Sequence, residues 1–288
     1  MTEPAQTVRR ELLEPLPALA DWVAHFRASE IPVLQETADS LEALRANEDR
    51  TDANGIGELI AGDPLMTLKV LAYSSSHRGR RVITAPETVT SALVMLGITP
   101  FFRAFPTQVS VEELLASEPA ALAGLHRVLQ RAHRGADFAL AFAVHRTDPN
   151  AAAVHAAALL HEFAELLLWC HAPRLALRIA RTQARAPRMR SSLAQREVLG
   201  VELADLQHAL VAEWQLPGLL CEIGVSHQAS HAGARTVALA ARLARHTHDG
   251  WDNPALADDI ADVAELLNLS AEATLHLAQN VARRTSLD

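Results

Sequence analysis

The stretch from Ala151 to Cys170, AAAVHAAALLHEFAELLLWC, decides the fold of this chain. It contains neither glycine nor proline, and alanine and leucine, the strongest helix formers, dominate it. The sequence therefore predicts a helix along its whole length. Because so few of its positions are polar, little of its surface suits water, and we expect it to lie in the core of a domain.

The adjacent residues His161 and Glu162 need an explanation within so apolar a helix. Burying an ionisable group costs free energy unless the group is paired, hydrogen-bonded or bound to a metal. One interpretation is a His–Glu contact that stabilises packed helices. The other interpretation is a metal or phosphate site, or the remnant of one.

The composition predicts an all-α fold. The chain has 288 residues, of which 49% are hydrophobic, so it can bury a sizeable core. It contains a single tyrosine, and aromatic residues make up only 4% of it, which is too few for a protein built on a β-sheet. We therefore expect a multi-helix bundle.

Charge and cysteine content exclude several classes of protein. The formal net charge of −8 argues against general nucleic-acid binding, although a local basic patch is compatible with it. Cys170 and Cys221 form neither a zinc pattern nor a disulfide framework and fit a reducing cytoplasm. The first residues lack the apolar core of a signal peptide, and no apolar run of membrane length is free of charge or histidine. We expect a soluble, cytoplasmic protein without a membrane partner.

A series of motifs runs from Ile31 to Gly97. Asp63 and Pro64 are typical of a helix N-cap and first turn, and a Leu-rich helix and a serine loop follow them. Together with Ile83 and the Leu96-Gly97 pair, these motifs resemble the HDOD family, a relative of the HD-domain phosphohydrolases. Ser74 stands where that family usually has asparagine. A second set of matching positions runs from Glu197 to Pro217.

The resemblance implies where a metal would be bound. HD phosphohydrolases hold a divalent ion with a histidine, a His-Asp pair and a later aspartate, and the ion activates water to attack a phosphate ester. His133 and His161 match the two histidines, and His227 matches part of a further pair found in related enzymes. Glu162 replaces the paired aspartate, and Ala241, which cannot bind a metal, replaces the later one.

The resemblance therefore implies a non-catalytic module of signal transduction or regulation, without a cofactor, that acts by binding a partner protein. Two alternatives stay open. The chain could be a metal-dependent phosphohydrolase of a nucleotide or cyclic dinucleotide, with His133, His161 and Glu162 as ligands. It could also sense such a nucleotide without cleaving it.

The resemblance and the helix pattern divide the chain into three parts. We predict a leader helix in residues 1–30, an N-terminal helical subdomain in residues 31–117 and a degenerate HD-like bundle in residues 118–288. The groove between the two bundles is our candidate site for a partner or ligand, by analogy with other folds.

One basic stretch stands out in the acidic chain. Arg174, Arg178, Arg181 and Arg185 recur at helical spacing, so they share one side of a helix. Most such runs are solvated faces. The alternative is a patch that binds an anion or an acidic partner.

Overall fold

The described residues, 12–77, 85–186, 188–223 and 232–285 of this computed structural model, fold almost entirely into helices. Within these ranges the one β contact is an isolated bridge between Val33 and Ser110. The predicted all-α fold is therefore confirmed.

The helices fall before and after Ser117. Those before it are α1 (Leu19–Ala28), α2 (Gln35–Arg45), α3 (Ala53–Ala61), α4 (Pro64–Ser76), α5 (Val89–Leu96), α6 (Ile98–Ala104) and α7 (Val111–Leu114), with a short 3-10 turn at Glu48–Arg50. Those after it are α8 (Pro119–His145), α9 (Ala151–Leu159), α10 (Phe163–His171), α11 (Pro173–Arg185), α12 (Ser191–Leu199), α13 (Leu203–Glu213), α14 (Gly218–Ile223), α15 (Ala232–His246), α16 (Leu256–Leu267) and α17 (Ala271–Thr285).

The predicted cap at Asp63 is confirmed and does more than start α4. Its Oδ1 accepts hydrogen bonds from the backbone N–H groups of Leu65 (2.8 Å) and Met66 (3.0 Å). Its Oδ2 accepts from the N–H of Leu34 (2.8 Å), just before α2. Because Asp63 is almost fully buried, these bonds satisfy a carboxylate that would otherwise be costly. One residue thus fixes α4 and the entry to α2.

The long helix α8 is the centre of the packing. It contacts α9, α10, α11, α15 and α17. At Gly135 it approaches α15 closely: an added Cβ would lie 3.6 Å from the Cα of Ala241 and from the Cβ of Ala244. Both distances are ordinary van der Waals contacts, so the two helices pack closely here without requiring a glycine.

The predicted division into subdomains stays a prediction. Helix α8 begins at Pro119, close to the proposed boundary. However, core residues on both sides of that boundary belong to one contiguous buried cluster that extends from Trp22 to Ala282. The leader helix α1 packs against α13 of the C-terminal part, and residues 1–11 lie outside the described residues.

The stretch that opened the analysis forms two helices, so the prediction of one uninterrupted helix is wrong. Helix α9 ends at Leu159 and α10 begins at Phe163. The side chain of Gln207, on α13, meets the backbone groups near the break: its Nε2 donates to the carbonyl oxygen of His161 (2.5 Å), and its Oε1 accepts from the N–H of Ala164 (3.3 Å). A tertiary contact therefore stabilises the interruption.

Among the described residues, this stretch is the one segment that is long and apolar enough to cross a membrane. The 21 residues from Ala151 to His171 have a mean hydropathy of 1.4, and 61% of the window tested is buried in the protein. Core helices of soluble proteins meet the same criterion, so this finding is weak evidence for a membrane span. The predicted placement in the core agrees with the burial.

Candidate functional site

A cleft of about 470 Å³ lies in the C-terminal part of the chain, and the break between α9 and α10 forms part of its wall. His161 and Glu162 both line it, as does Glu165 from the first turn of α10. Arg131 from α8 and Arg245 from α15 approach them. The break thus places the predicted His–Glu pair at a cavity rather than inside a continuous helix.

Two guanidinium groups hold the Glu162 carboxylate. Its Oε2 accepts from Nε of Arg131 (3.1 Å), and its Oε1 lies 3.3 Å from Nη2 of Arg245. The Nη2 of Arg131 also donates to Oε2 of Glu165 (2.8 Å). Arg131 and Glu162 are mostly buried, with 18% and 16% of their side chains exposed, so Arg131 bridges two carboxylates in a poorly solvated place.

The surroundings shift the pKa values of the Glu162 and Glu165 carboxyl groups in opposite directions. Burial alone would raise the pKa of Glu162, but Arg131 and Arg245 together hold it below its usual value. Burial raises the pKa of Glu165, and Arg131 opposes this shift only in part. The pKa of Glu162 is therefore shifted down and that of Glu165 up, so Glu165 takes up a proton more readily than Glu162.

His161 is a neutral group at this site. Burial lowers its pKa, and nearby Arg245 acts in the same direction, against the opposing effect of Glu162. Its Nδ1 is shielded from solvent and has no hydrogen-bond partner in the part of the chain that the structure describes. Burial therefore favours the uncharged imidazole beside Glu162, and the choice between the two interpretations of the His–Glu pair stays a prediction.

His133, the other histidine matched to the metal motif, lies elsewhere. Its Nε2 donates to the carbonyl oxygen of Gly62 (2.7 Å), at the end of α3, and so ties α8 to the N-terminal helices. Residues two apart on a helix point to nearly opposite sides. Arg131, and not His133, is therefore the α8 residue that faces Glu162.

The residues present do not fit a divalent metal ion. Both oxygens of Glu162 already face guanidinium groups, and such positive charge disfavours a cation beside them. Ala241 is buried on α15 and offers no ligand atom. Among the described residues no three His, Cys, Asp or Glu side chains come close enough to hold a metal. His227 lies outside the described residues.

The sequence of this chain matches a known protein family. The model of the HDOD domain matches residues 31–230. The chain belongs to the HDOD family. No curated protein matches its sequence.

Several solved structures have a fold similar to that of this chain, and two of them cover most of its length. The MmoQ response regulator from Methylococcus capsulatus str. Bath is 16% identical, with a TM-score of 0.63 over 87% of this chain and 98% of that one. A virulence factor from Campylobacter jejuni subsp. jejuni is also 16% identical, with a TM-score of 0.63 over 93% of this chain and 98% of that one. At this identity the likeness concerns the fold.

The basic patch of this HDOD chain lies on the outer face of α11. Arg174, Arg178, Arg181 and Arg185 are all exposed. Nε of Arg174 lies 3.6 Å from Glu118, and Nη1 of Arg178 lies 4.0 Å from Glu14. Such exposed pairs contribute little to stability, and the role of the patch stays a prediction.

A second cavity, of about 320 Å³, lies between helices of the N-terminal part and α8–α9, and the candidate groove between the two bundles was expected in this region. Its lining is mainly apolar or small and includes Val89, Leu140 and Leu159. His155 lines it, and burial lowers the pKa of that imidazole. Whether a partner or ligand binds there stays a prediction.

Sequence reasoning missed Arg131 and Arg245. The motif drew attention to His133, although Arg131 precedes it by only two residues. The signal that could have found them is the buried Glu162 itself, because a buried carboxylate requires a cation from a neighbouring helix when no metal balances it.

Proposed function

We propose that this HDOD protein is a non-catalytic module of signal transduction that acts in the cytoplasm by binding a partner protein. The observation that carries the proposal is the engagement of Glu162 by both Arg131 and Arg245. A carboxylate so neutralised is a poor ligand for a metal, and the reaction of the related hydrolases depends on a metal. The name of the similar MmoQ protein, a response regulator, also supports a role in signalling.

The face of α11 that carries the basic patch supports binding to an acidic partner. Its four arginines project from a helix whose other side is anchored by buried residues such as Leu175 and Ile179. A row of guanidinium groups on one helix face suits carboxylate recognition, because each group can donate two parallel hydrogen bonds. The patch therefore combines exposure with a charge opposite to that of the chain as a whole.

We expect the purified protein to contain far less than one metal ion per chain. Elemental mass spectrometry of the wild type and of His161→Ala would measure iron, manganese and zinc, and circular dichroism would confirm that both proteins are folded. The expected result follows from the arginines around Glu162. Near-stoichiometric metal that disappears in the variant would contradict the proposal and justify a phosphodiesterase assay.

We expect the double variant Arg178→Glu, Arg181→Glu to bind an acidic partner protein more weakly than the wild type. Like charges facing each other across an interface disfavour binding, so affinity should fall at least about tenfold. The wild type and the variant would be used as bait in cell extract, and the captured proteins would be quantified. A candidate would then be purified and its binding measured directly at two salt concentrations, since screening weakens such contacts.

The matched control is Arg283→Glu, Arg284→Glu, which makes the same change of charge on exposed positions of α17. It should retain the partner. Equal losses in both variants would show that net charge, and not the α11 surface, governs binding, and would remove the patch from the proposal.

A further inference from the structure

The cleft beside Glu162 has the size and lining of a small-molecule site. Its volume of about 470 Å³ lies within the range of cavities that enclose drug-sized ligands. Helices α8, α10, α11, α12, α13, α14 and α15 all contribute to its wall. A cavity assembled from so many packed helices is held in shape by the core, so it is largely formed before any ligand arrives.

The charges of the lining balance one another. Glu162 and Glu165 are matched by Arg131 and Arg245. The remaining carboxylate, Glu202, pairs with Nη1 of Arg196 (3.0 Å). The cleft therefore presents no uncompensated carboxylate or guanidinium that would select a strongly charged ligand.

Most of the polar groups left over are amides and hydroxyls. Gln183, Ser191, Ser192, Gln195 and Gln207 line the cleft, together with the imidazole of His208. Gln195 uses its Oε1 to accept from the N–H of Leu203 (3.0 Å), which leaves its amide nitrogen as a donor. Amides and hydroxyls both donate and accept, as the edge of a heteroaromatic ring requires.

A large part of the wall is apolar and includes an indole. Trp169 is 5% exposed and lines the cleft with Leu168, Ile179 and Val211. Aromatic and aliphatic side chains pack well against the faces of a flat ring. We propose that this cleft binds an uncharged, planar heteroaromatic molecule of about the size of a purine nucleoside.

Helix α11 connects this site with the basic patch. Ala176, Ile179, Ala180 and Gln183 line the cleft, and the arginines of the patch lie on the exposed side of the same helix. A ligand that packs against the inner side would restrict α11 and so alter the surface offered to a partner. This link rests on the proposed function, whereas the ligand site itself does not.

The test measures binding by the isolated protein, so a failure of the partner hypothesis does not affect it. Adenosine and guanosine would be titrated by isothermal calorimetry, with AMP and GMP as anionic counterparts. We expect at least one nucleoside to bind with a Kd below about 1 mM and more tightly than its monophosphate. Amide hydrogen exchange should slow in α11 (Pro173–Arg185) when the nucleoside is bound.

The variant Ala180→Trp fills the cleft from α11 and should weaken nucleoside binding at least about tenfold. Its matched control is Ala184→Trp, one turn along the same helix at an exposed position that does not line the cleft. Ala204→Trp, at an exposed position that lines the cleft from α13, provides a second blocking variant if Ala180→Trp does not fold. No binding of either nucleoside, tighter binding of the monophosphates, or unchanged binding in the blocking variants would overturn the proposal.

Discussion

Replacing Arg131 with leucine lowers the free energy of unfolding by about 3 kcal/mol, the lower end of the range for breaking a buried ion pair. The substitution leaves Glu165 without its cation and Glu162 with Arg245 alone. Both carboxylates are poorly solvated, so most of the cost is that of leaving a negative charge in the interior. Urea denaturation at neutral pH, followed by circular dichroism, would measure the change.

The control for this experiment is Arg235→Leu. Arg235 also bonds a glutamate, Glu265, at 2.9 Å, but the two side chains are 43% and 71% exposed. We expect that variant to lose less than about 1 kcal/mol, as exposed pairs do. A loss in Arg131→Leu no larger than in Arg235→Leu would show that water solvates the Glu162 site, and the argument that arginines replace a metal there would lose its basis.

A second variant separates the lost charge pair from lost packing. Arg131→Leu combined with Glu165→Leu removes both the cation and a carboxylate that it pairs with. Because replacing both partners of a buried pair by apolar residues is often close to neutral, the double variant should regain much of the lost stability. If it is instead less stable than Arg131→Leu, the long side chain of Arg131 contributes mainly by packing.

Structural features could be predicted from the sequence where their cause lies within a few neighbouring residues. The start of α4 depends on Asp63 and on Pro64 next to it, and the hydrogen bonds that fix it reach only two and three residues along the chain. The capping chemistry is therefore visible in a short window. The all-α class could likewise be predicted, because it follows from composition.

The sequence was insufficient where the cause is tertiary. Nothing in Ala151–Cys170 marks a break. The side chain of Gln207 bonds the carbonyl of His161 within the break and the N–H of Ala164 at the start of α10, and it lies more than forty residues away in the sequence. Arg131 points toward Glu162 because of the rotation of α8 about its own axis relative to α10. A motif match in the sequence cannot predict that rotation. His133 illustrates the consequence: the residue type suits a metal, but the helix turns it toward Gly62.

Replacing Gly124 with alanine lowers the free energy of unfolding by about 2 kcal/mol, although alanine is the better helix former. Gly124 lies within α8 and is buried. A Cβ at this position would come 2.7 Å or closer to three atoms of the Trp169 ring. Real Cβ atoms do not make contacts this short, so the indole or α10 has to move, and overpacking outweighs the gain in helix propensity.

Gly135→Ala is the matched control, because it makes the same substitution in the same helix. The added Cβ would lie 3.6 Å from the nearest atoms of α15, at ordinary contact distance. This variant should therefore gain up to about 1 kcal/mol from helix propensity. Thermal and urea denaturation of the two variants should give changes of opposite sign. Stabilisation by both substitutions would mean that Trp169 moves into the adjoining cleft at little cost in free energy. The indole would then be a mobile part of the cleft wall, and Gly124→Ala should bind a ligand in the cleft more weakly than the wild type.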